Sequence, residues 1–355
     1  MCGILRAVPR FLPVANPQNR FASTRMEYDE GEAPGAELEV TEDRSKTILS
    51  TNDSPDVGFR WSVNPYRGCF HDCKYCYARP THEYLSLGAG SDFSRKIVIK
   101  PNAPQLLREA FEKKSWRGEV IVFSGITDCY QPLESKLRLT RQCLEVCAEY
   151  RNPVGIITKS PVIERDIDIL QELGRVAGVR ASVSVPFWDP DVAKALEPMV
   201  TTPERRMKIV EALAKAGIDV GVSVSPIVPG LNDDHLGDVL ERAAAAGARH
   251  AFYVLLRLPG AVREVFETAM RKHLPLRAEK VFRRLREAHG GTMYNAAFGM
   301  RGRGEGVYAD MIRMLFERTA KRVGLNPDEM TWYTTPATFQ RPTIAKKGGQ
   351  TSFGF

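Results

Sequence analysis

From about residue 60 to residue 273, short apolar runs of strand length alternate with longer stretches whose apolar positions recur every three or four residues. Strands are predicted at 60–64, 119–124, 154–158, 179–185, 219–224 and 251–255. Helices are predicted at 104–113, 137–150, 163–172, 203–216, 235–246 and 261–273, with one more running up to Tyr84. A short extra strand at 96–100 falls outside this alternation. Strand and helix in alternation imply a parallel sheet with crossover helices, hence the α/β class. Six such units make an incomplete barrel, open on one side. In barrels of this kind the chemistry sits where strands end and loops begin.

The flanks read differently. Residues 1–57 are rich in Pro, Gly, Glu and Asp and carry no sustained period, so an extended arm is expected there. The barrel is assigned to 58–274, a helical extension with a helix ending near Arg322 to 275–340, and a flexible tail to 341–355. With 355 residues and 43% hydrophobic content, the chain can bury one large core. No apolar run approaches the roughly 18 residues of a membrane span, and Arg and Pro interrupt the start MCGILRAVPRFLP. Seven cysteines, an odd number, then argue for thiols and metal ligands in a reducing cytoplasm rather than for a disulfide framework.

The net charge of +7 is unevenly spread. Between Arg271 and Arg286, seven Lys or Arg face a single acid, Glu279, in a stretch that reads as helical. Such a face either neutralises phosphates of a nucleic acid or is a solvated helix surface.

Cys69, Cys73 and Cys76 lie within eight residues, in NPYRGCFHDCKYCYARPTHEYL. Three thiolates are one short of the four that close a cubane iron–sulfur cluster, which leaves one iron open to another ligand. With His71 the same loop offers a Cys3His set for zinc, but no second pair of ligands follows at the spacing of a zinc knuckle.

The cysteine spacing resembles the signature of the radical S-adenosylmethionine (SAM) superfamily. NPYRGC, the tyrosines flanking Cys76 and the later GITDCYQPLE are similar to the spore-photoproduct-lyase-like group, often labelled DNA repair photolyases. The resemblance implies a partial (βα)6 TIM-like barrel with terminal extensions, a [4Fe-4S] cluster on Cys69, Cys73 and Cys76, and SAM on the open iron. It also implies reductive cleavage of SAM to a 5′-deoxyadenosyl radical, an electron donor of the flavodoxin or ferredoxin type, and lyase-like action on a nucleic acid. The same chemistry on a peptide or small molecule is one alternative; a nucleic-acid-binding protein with a structural metal and no catalysis is another.

SAM-binding residues follow from the family's positions. At the end of strand two these are Gly125, Thr127 and Asp128; a turn with an Asp cap explains the same residues. Lys159 after strand three could pair with the SAM carboxylate, or simply face solvent. Ser184 on strand four matches a ribose contact or fills a barrel layer, and Tyr77 matches a tyrosine beside the adenine; Tyr75 serves there or in the core. The strand-five loop 225–233 could wall the pocket. In spore photoproduct lyase a cysteine just before the strand-two pair donates hydrogen, but Ile126 holds that place here. Cys129 is the substitute donor or an inert buried thiol. Cys143 and Cys147, four apart on a helix, read as core.

Two further motifs stand apart. The run 297–306, AFGMRGRGEG, puts glycines and two arginines ahead of a helix and could cradle phosphate or merely connect. The terminal QTSFGF is similar to the peptide by which bacterial proteins dock on the replicative sliding clamp.

Overall fold

In the computed structural model, which describes residues 13–23, 33–327 and 338–342, ten strands form. They are β1 (Glu39–Glu42), β2 (Leu49–Thr51), β3 (Trp61–Val63), β4 (Tyr66–Arg67), β5 (Lys96–Ile99), β6 (Ile121–Phe123), β7 (Val154–Thr158), β8 (Val179–Ser184), β9 (Asp219–Ile227) and β10 (His250–Leu255). The main sheet runs β10-β9-β8-β7-β6-β3-β2. From β3 through β10 every pairing is parallel and follows chain order, while β2 adds antiparallel to β3. Six parallel strands with intervening helices are the expected partial barrel.

The strand faces explain why the barrel forms. Ile121, Phe123, Ile156, Ala181, Val183, Val220 and Val222 turn outward and are sealed under helices with Leu144, Leu170, Leu213 and Leu240. Each of these fully buried leucines contributes about 1.5–3 kcal/mol of transfer free energy. The alternate positions face the barrel interior and, apart from Val122 and Ile157, include many small or polar residues: Ser62, Gly155, Ser182, Ser184, Gly221 and Ser223. At Gly221 a Cβ would lie 2.6 Å from the His250 carbonyl oxygen, so only glycine lets β9 and β10 approach here.

Strands and helices of the barrel agree with expectation to within a few residues, and β5 is the extra strand. Four differences have physical causes. The segment leading to Tyr84 forms two short 3-10 turns, Arg79–Thr81 and Glu83–Leu85, because Pro80 and the buried bonds of Arg79 displace regular helix. The arm contributes β1 and β2, which are three or four residues long, mostly exposed and hold one apolar residue each, Val40 and Leu49, too few to read a period from. Helix Pro190–Leu196 was hidden by its seven-residue length. The basic stretch is two helices, Val262–His273 and Pro275–Ala288, since Pro275 cannot continue the first.

The extensions hold the barrel rather than trail from it. Asn16 Oδ1 accepts from the amides of Gly90 and Asp92, and Asn19 Nδ2 donates to the carbonyls of Glu83 and Leu87. Phe339 packs on Phe111 and Tyr150, and Arg341 Nε donates to the Phe111 carbonyl, so residues 338–342 dock although 341 was placed in a flexible tail. The clamp-like QTSFGF at 350–355 lies outside the described residues. No helix among the described residues is long and apolar enough to cross a membrane.

The open side of the barrel is bridged. Gly302 O accepts from Leu255 N at 2.8 Å, while Gly299 N and Arg301 Nε donate to Asp56 at 2.7 and 2.6 Å. The strap 297–304 therefore spans from the β10 edge to the hairpin between β2 and β3.

Candidate active site

The cysteine loop leaves the carboxyl end of the first barrel strand through β4 and Gly68. Gly68 has φ +76°, and a Cβ there would meet Phe93 O at 2.7 Å, so the turn into Cys69 requires glycine. Asp72, between the first two cysteines, is also left-handed at φ 54°, a conformation that Asp tolerates better than most residues. Its carboxylate receives Arg79 Nη2 at 2.7 Å and Lys74 Nζ at 2.5 Å. Arg79, fully buried, also donates to the carbonyls of Cys73, Ala89 and Gly90.

All three thiols are free, Cys69 and Cys73 buried and Cys76 half-buried. Each lies within electrostatic range of the others. Burial pushes the Cys73 and Cys76 thiols up, so they would ionise on taking a metal rather than stand as free nucleophiles. Among the described residues, no three Cys, His, Asp or Glu side chains converge tightly enough for one ion. Thiols that each take a separate iron of a cubane are held farther apart than the ligands of a single zinc, so the loop fits the cluster.

The strand-two motif braces this loop. Thr127 Oγ1 donates to Gly68 O at 2.6 Å, and Gln131 donates to the same carbonyl at 3.3 Å while accepting from Phe70 N at 3.1 Å. Asp128 Oδ1 accepts from Thr158 Oγ1 and Tyr130 N, and Oδ2 accepts from Lys159 N and pairs with His71 Nδ1 at 3.3 Å. Four partners saturate the carboxylate's lone pairs. Asp128, expected to touch SAM, ties the loop to the ends of β6 and β7. Burial opposes both charges, yet the two partners hold the Asp128 carboxyl low and carry the His71 imidazole up, with Cys69 adding to the rise on His71. His71 is thereby engaged as a brace.

The other expected residues ring the barrel mouth. Tyr77 donates to Gly125 O at 2.6 Å and leaves nearly half its surface (47%) exposed. Lys159 Nζ stands 5.8 Å from the centre of the Tyr75 ring, within range of Cys73, Glu197 and Asp128. Burial works against its charge, but Cys73, Glu197 and Asp128 outweigh that and raise its pKa. Tyr75 is core: its hydroxyl donates to Glu197, which also takes Arg206 Nη2 at 2.6 Å. Ser184 faces inward beside Ser223, and its carbonyl accepts from Arg206 Nη1. In the strand-five loop, Ser225 Oγ is buried without a hydrogen-bond partner.

Cys129 does not belong to this ring. It is fully buried among Val63, Phe123, Tyr130 and Cys143 in the layer behind the sheet, and burial pushes its thiol far up. Cys143 and Cys147 share that core, as expected.

Sequence reasoning passed over Gln131, Arg79, Asn64 and Arg257. Gln131 stood inside the motif read for its neighbours, and Asn64, whose Oδ1 accepts from Ile126 N at 2.9 Å, stood at the end of strand one. Arg257 follows β10 with no motif around it. Its guanidinium lies 5.2 Å from the centre of the Tyr77 ring.

The basic stretch is largely balanced. Arg271, Arg277, Arg283 and Arg284 face carboxylates of Glu267, Asp189 and Glu287. Its solvated-surface reading fits this better than phosphate neutralisation.

Comparisons with known proteins agree with this geometry. An uncharacterized protein of Mycobacterium tuberculosis is 37% identical over 210 residues, 59% of this chain and 62% of that protein. The chain thus spans less than two thirds of the length of such relatives. A radical SAM Nalpha-GlyT isomerase of Pseudomonas phage M6 is 25% identical over 191 residues, 53% of this chain and 38% of that protein. Spore photoproduct lyase complexed with dinucleoside spore photoproduct superposes with a TM-score of 0.58 at 13% identity, covering 81% of this chain and 80% of that one, which is a likeness of fold. The family model of the Radical SAM superfamily matches residues 63–243, about half of the chain, including the cysteine loop, Lys159 and Ser184, and the chain belongs to that superfamily.

Proposed function

We propose that this chain is a radical SAM enzyme that acts on a nucleic acid in a lyase- or repair-like reaction. The observation that carries its chemistry is the braced loop presenting Cys69, Cys73 and Cys76 at the carboxyl end of the barrel beside Lys159 and Tyr77. These cysteines would hold a [4Fe-4S] cluster, and Lys159 would take the carboxylate of SAM as a point charge. Tyr77, fixed by Gly125, offers a flat face to the adenine. Ser184 and Thr127 supply hydroxyls along the wall, though Thr127 already spends its proton on Gly68. When bound, the cluster supplies the electron that breaks the sulfonium bond and yields the 5′-deoxyadenosyl radical. The open mouth and serine-lined interior keep a path from SAM to a bulky substrate. A flavodoxin or ferredoxin would deliver the electron. The nucleic-acid substrate is supported by the fold shared with spore photoproduct lyase.

Anaerobic reconstitution tests the chemistry. About four iron and four sulfide per chain, with 5′-deoxyadenosine released from SAM under reductant, are expected. A colourless protein that leaves SAM intact would refute it. If SAM is cleaved but DNA and RNA neither bind nor stimulate the reaction, the substrate is a peptide or small molecule.

A further inference from the structure

Arg257 lies between Leu256 and Leu258, both buried in the cluster that contains Cys73 and Tyr75. Anchored on either side, its own side chain turns to the mouth and covers the face of Tyr77. Its Nε is buried without a hydrogen-bond partner. Asp56 lies within its electrostatic range, but the Asp56 oxygens already serve Gly299 N and Arg301 Nε. A half-buried cation with no carboxylate bonded to it among the described residues is suited to an incoming anion.

The surroundings indicate which anion. On the strap beside it, Phe298 is 61% exposed, and the Arg301 guanidinium stands 4.6 Å from the centre of its ring. Arg303 projects from the same strap and is exposed. An exposed ring with a guanidinium against it and further arginines nearby in sequence and on the mouth is suited to stacking a base of a single strand while positive charge tracks the backbone.

We infer that Arg257 receives a phosphate oxygen of a nucleic-acid strand lying across the barrel mouth, with Phe298 as a stacking face for a base. The inference rests on the nucleic-acid reading above and adds the residues that make the contact.

Anaerobically reconstituted protein is titrated with a fluorescently labelled single-stranded oligonucleotide across a salt series. Arg257→Gln should weaken binding about tenfold and flatten the log–log salt dependence by about 0.7, the share of one phosphate contact. Arg257→Lys should restore the salt slope but only part of the affinity. Phe298→Ala should weaken binding at an unchanged slope. Arg175→Ala, which removes an exposed cation on a distant helix, is the charge-matched control and should change neither quantity. Should the unmodified protein bind the strand while Arg257→Gln binds it with the same affinity and slope, the inference fails and the nucleic-acid reading stands. An equal loss in Arg175→Ala would likewise overturn it, by reducing the effect to net charge. If the unmodified protein ignores the oligonucleotide and takes an acidic peptide through Arg257, the nucleic-acid reading and this inference fall together.

Discussion

Asp128 and His71 form a buried pair, Oδ2 to Nδ1 at 3.3 Å, that joins the end of the second barrel strand to the loop between Cys69 and Cys73. Because the same carboxylate also takes Thr158 Oγ1 and Lys159 N, one side chain sets the height of the cysteine loop over the mouth. The loop's backbone makes turn bonds, such as Asp72 N to Cys69 O and Cys76 N to Cys73 O, and side-chain ties such as this one add the links to the ends of β6 and β7.

Asp128→Asn should therefore impair metal loading before it impairs SAM chemistry. The amide keeps the size but loses two acceptor sites and the charge, leaving His71 buried beside Cys69 without its counterion. A loss of about 3 kcal/mol is expected, read as a lowered urea midpoint of the apo protein, with iron content after reconstitution reduced. An unchanged midpoint together with full iron would remove the bracing role.

Replacing Cys69, Cys73 or Cys76 singly by Ala should abolish the brown chromophore. Cys129→Ala should retain it and still release 5′-deoxyadenosine, at a stability cost of about 1–2 kcal/mol for the small cavity left in the core. Loss of product formation at full iron content in Cys129→Ala would reinstate this cysteine as a hydrogen donor.

Lys159→Met should raise the Kd for SAM while leaving iron content intact. A charge-assisted contact to a carboxylate is worth about 1.5–3 kcal/mol, so a weakening of tenfold or more is expected in equilibrium binding. If SAM binds Lys159→Met as tightly as the unmodified protein, the carboxylate lies elsewhere.

The strap across the open side should loosen in acid. Partial burial raises the Asp56 carboxyl, but the Gly299 amide and the Arg301 guanidinium outweigh this and hold it below its ordinary 3.8. A depressed carboxylate stabilises the folded state above its unfolded pKa, and that contribution disappears as pH falls through the lower folded value. Pepsin cleavage within 297–304 should rise over that interval, and Asp56→Asn should show more cleavage at the pH where the native strap is still protected. Identical cleavage profiles for the two proteins would mean that other contacts hold the strap.

Much of the barrel was legible because its strands and helices are local patterns. Apolar runs such as VGIIT and the helical period of 203–216 are imposed by a sheet buried under helices, whatever the rest of the chain does. The cysteine loop was legible for a similar reason, as three ligands in eight residues must share one site. By contrast β1, four exposed residues of which only Val40 is apolar, is placed by pairing with β5, a contact between segments more than fifty residues apart that leaves no period.

For the site, residue chemistry at strand ends narrowed the candidates, and folding then sorted them. Thr127 and Asp128 carry groups that suit a ligand, yet the proximity of Gly68, His71 and Lys159 consumes their hydrogen-bonding capacity. Cys129 and Cys76 are the same residue type in similar local settings, but one faces the helix layer and the other the mouth. Arg257 had no local signal; its place over Tyr77 exists only because the sixth strand returns to the first loop. Sequence alone determined the grouping of the three cysteines and the repeating βα order, because both are written within short spans. The tertiary structure decided which polar side chains remain available to a ligand, because hydrogen-bond saturation and burial depend on neighbours that the chain brings together only on folding.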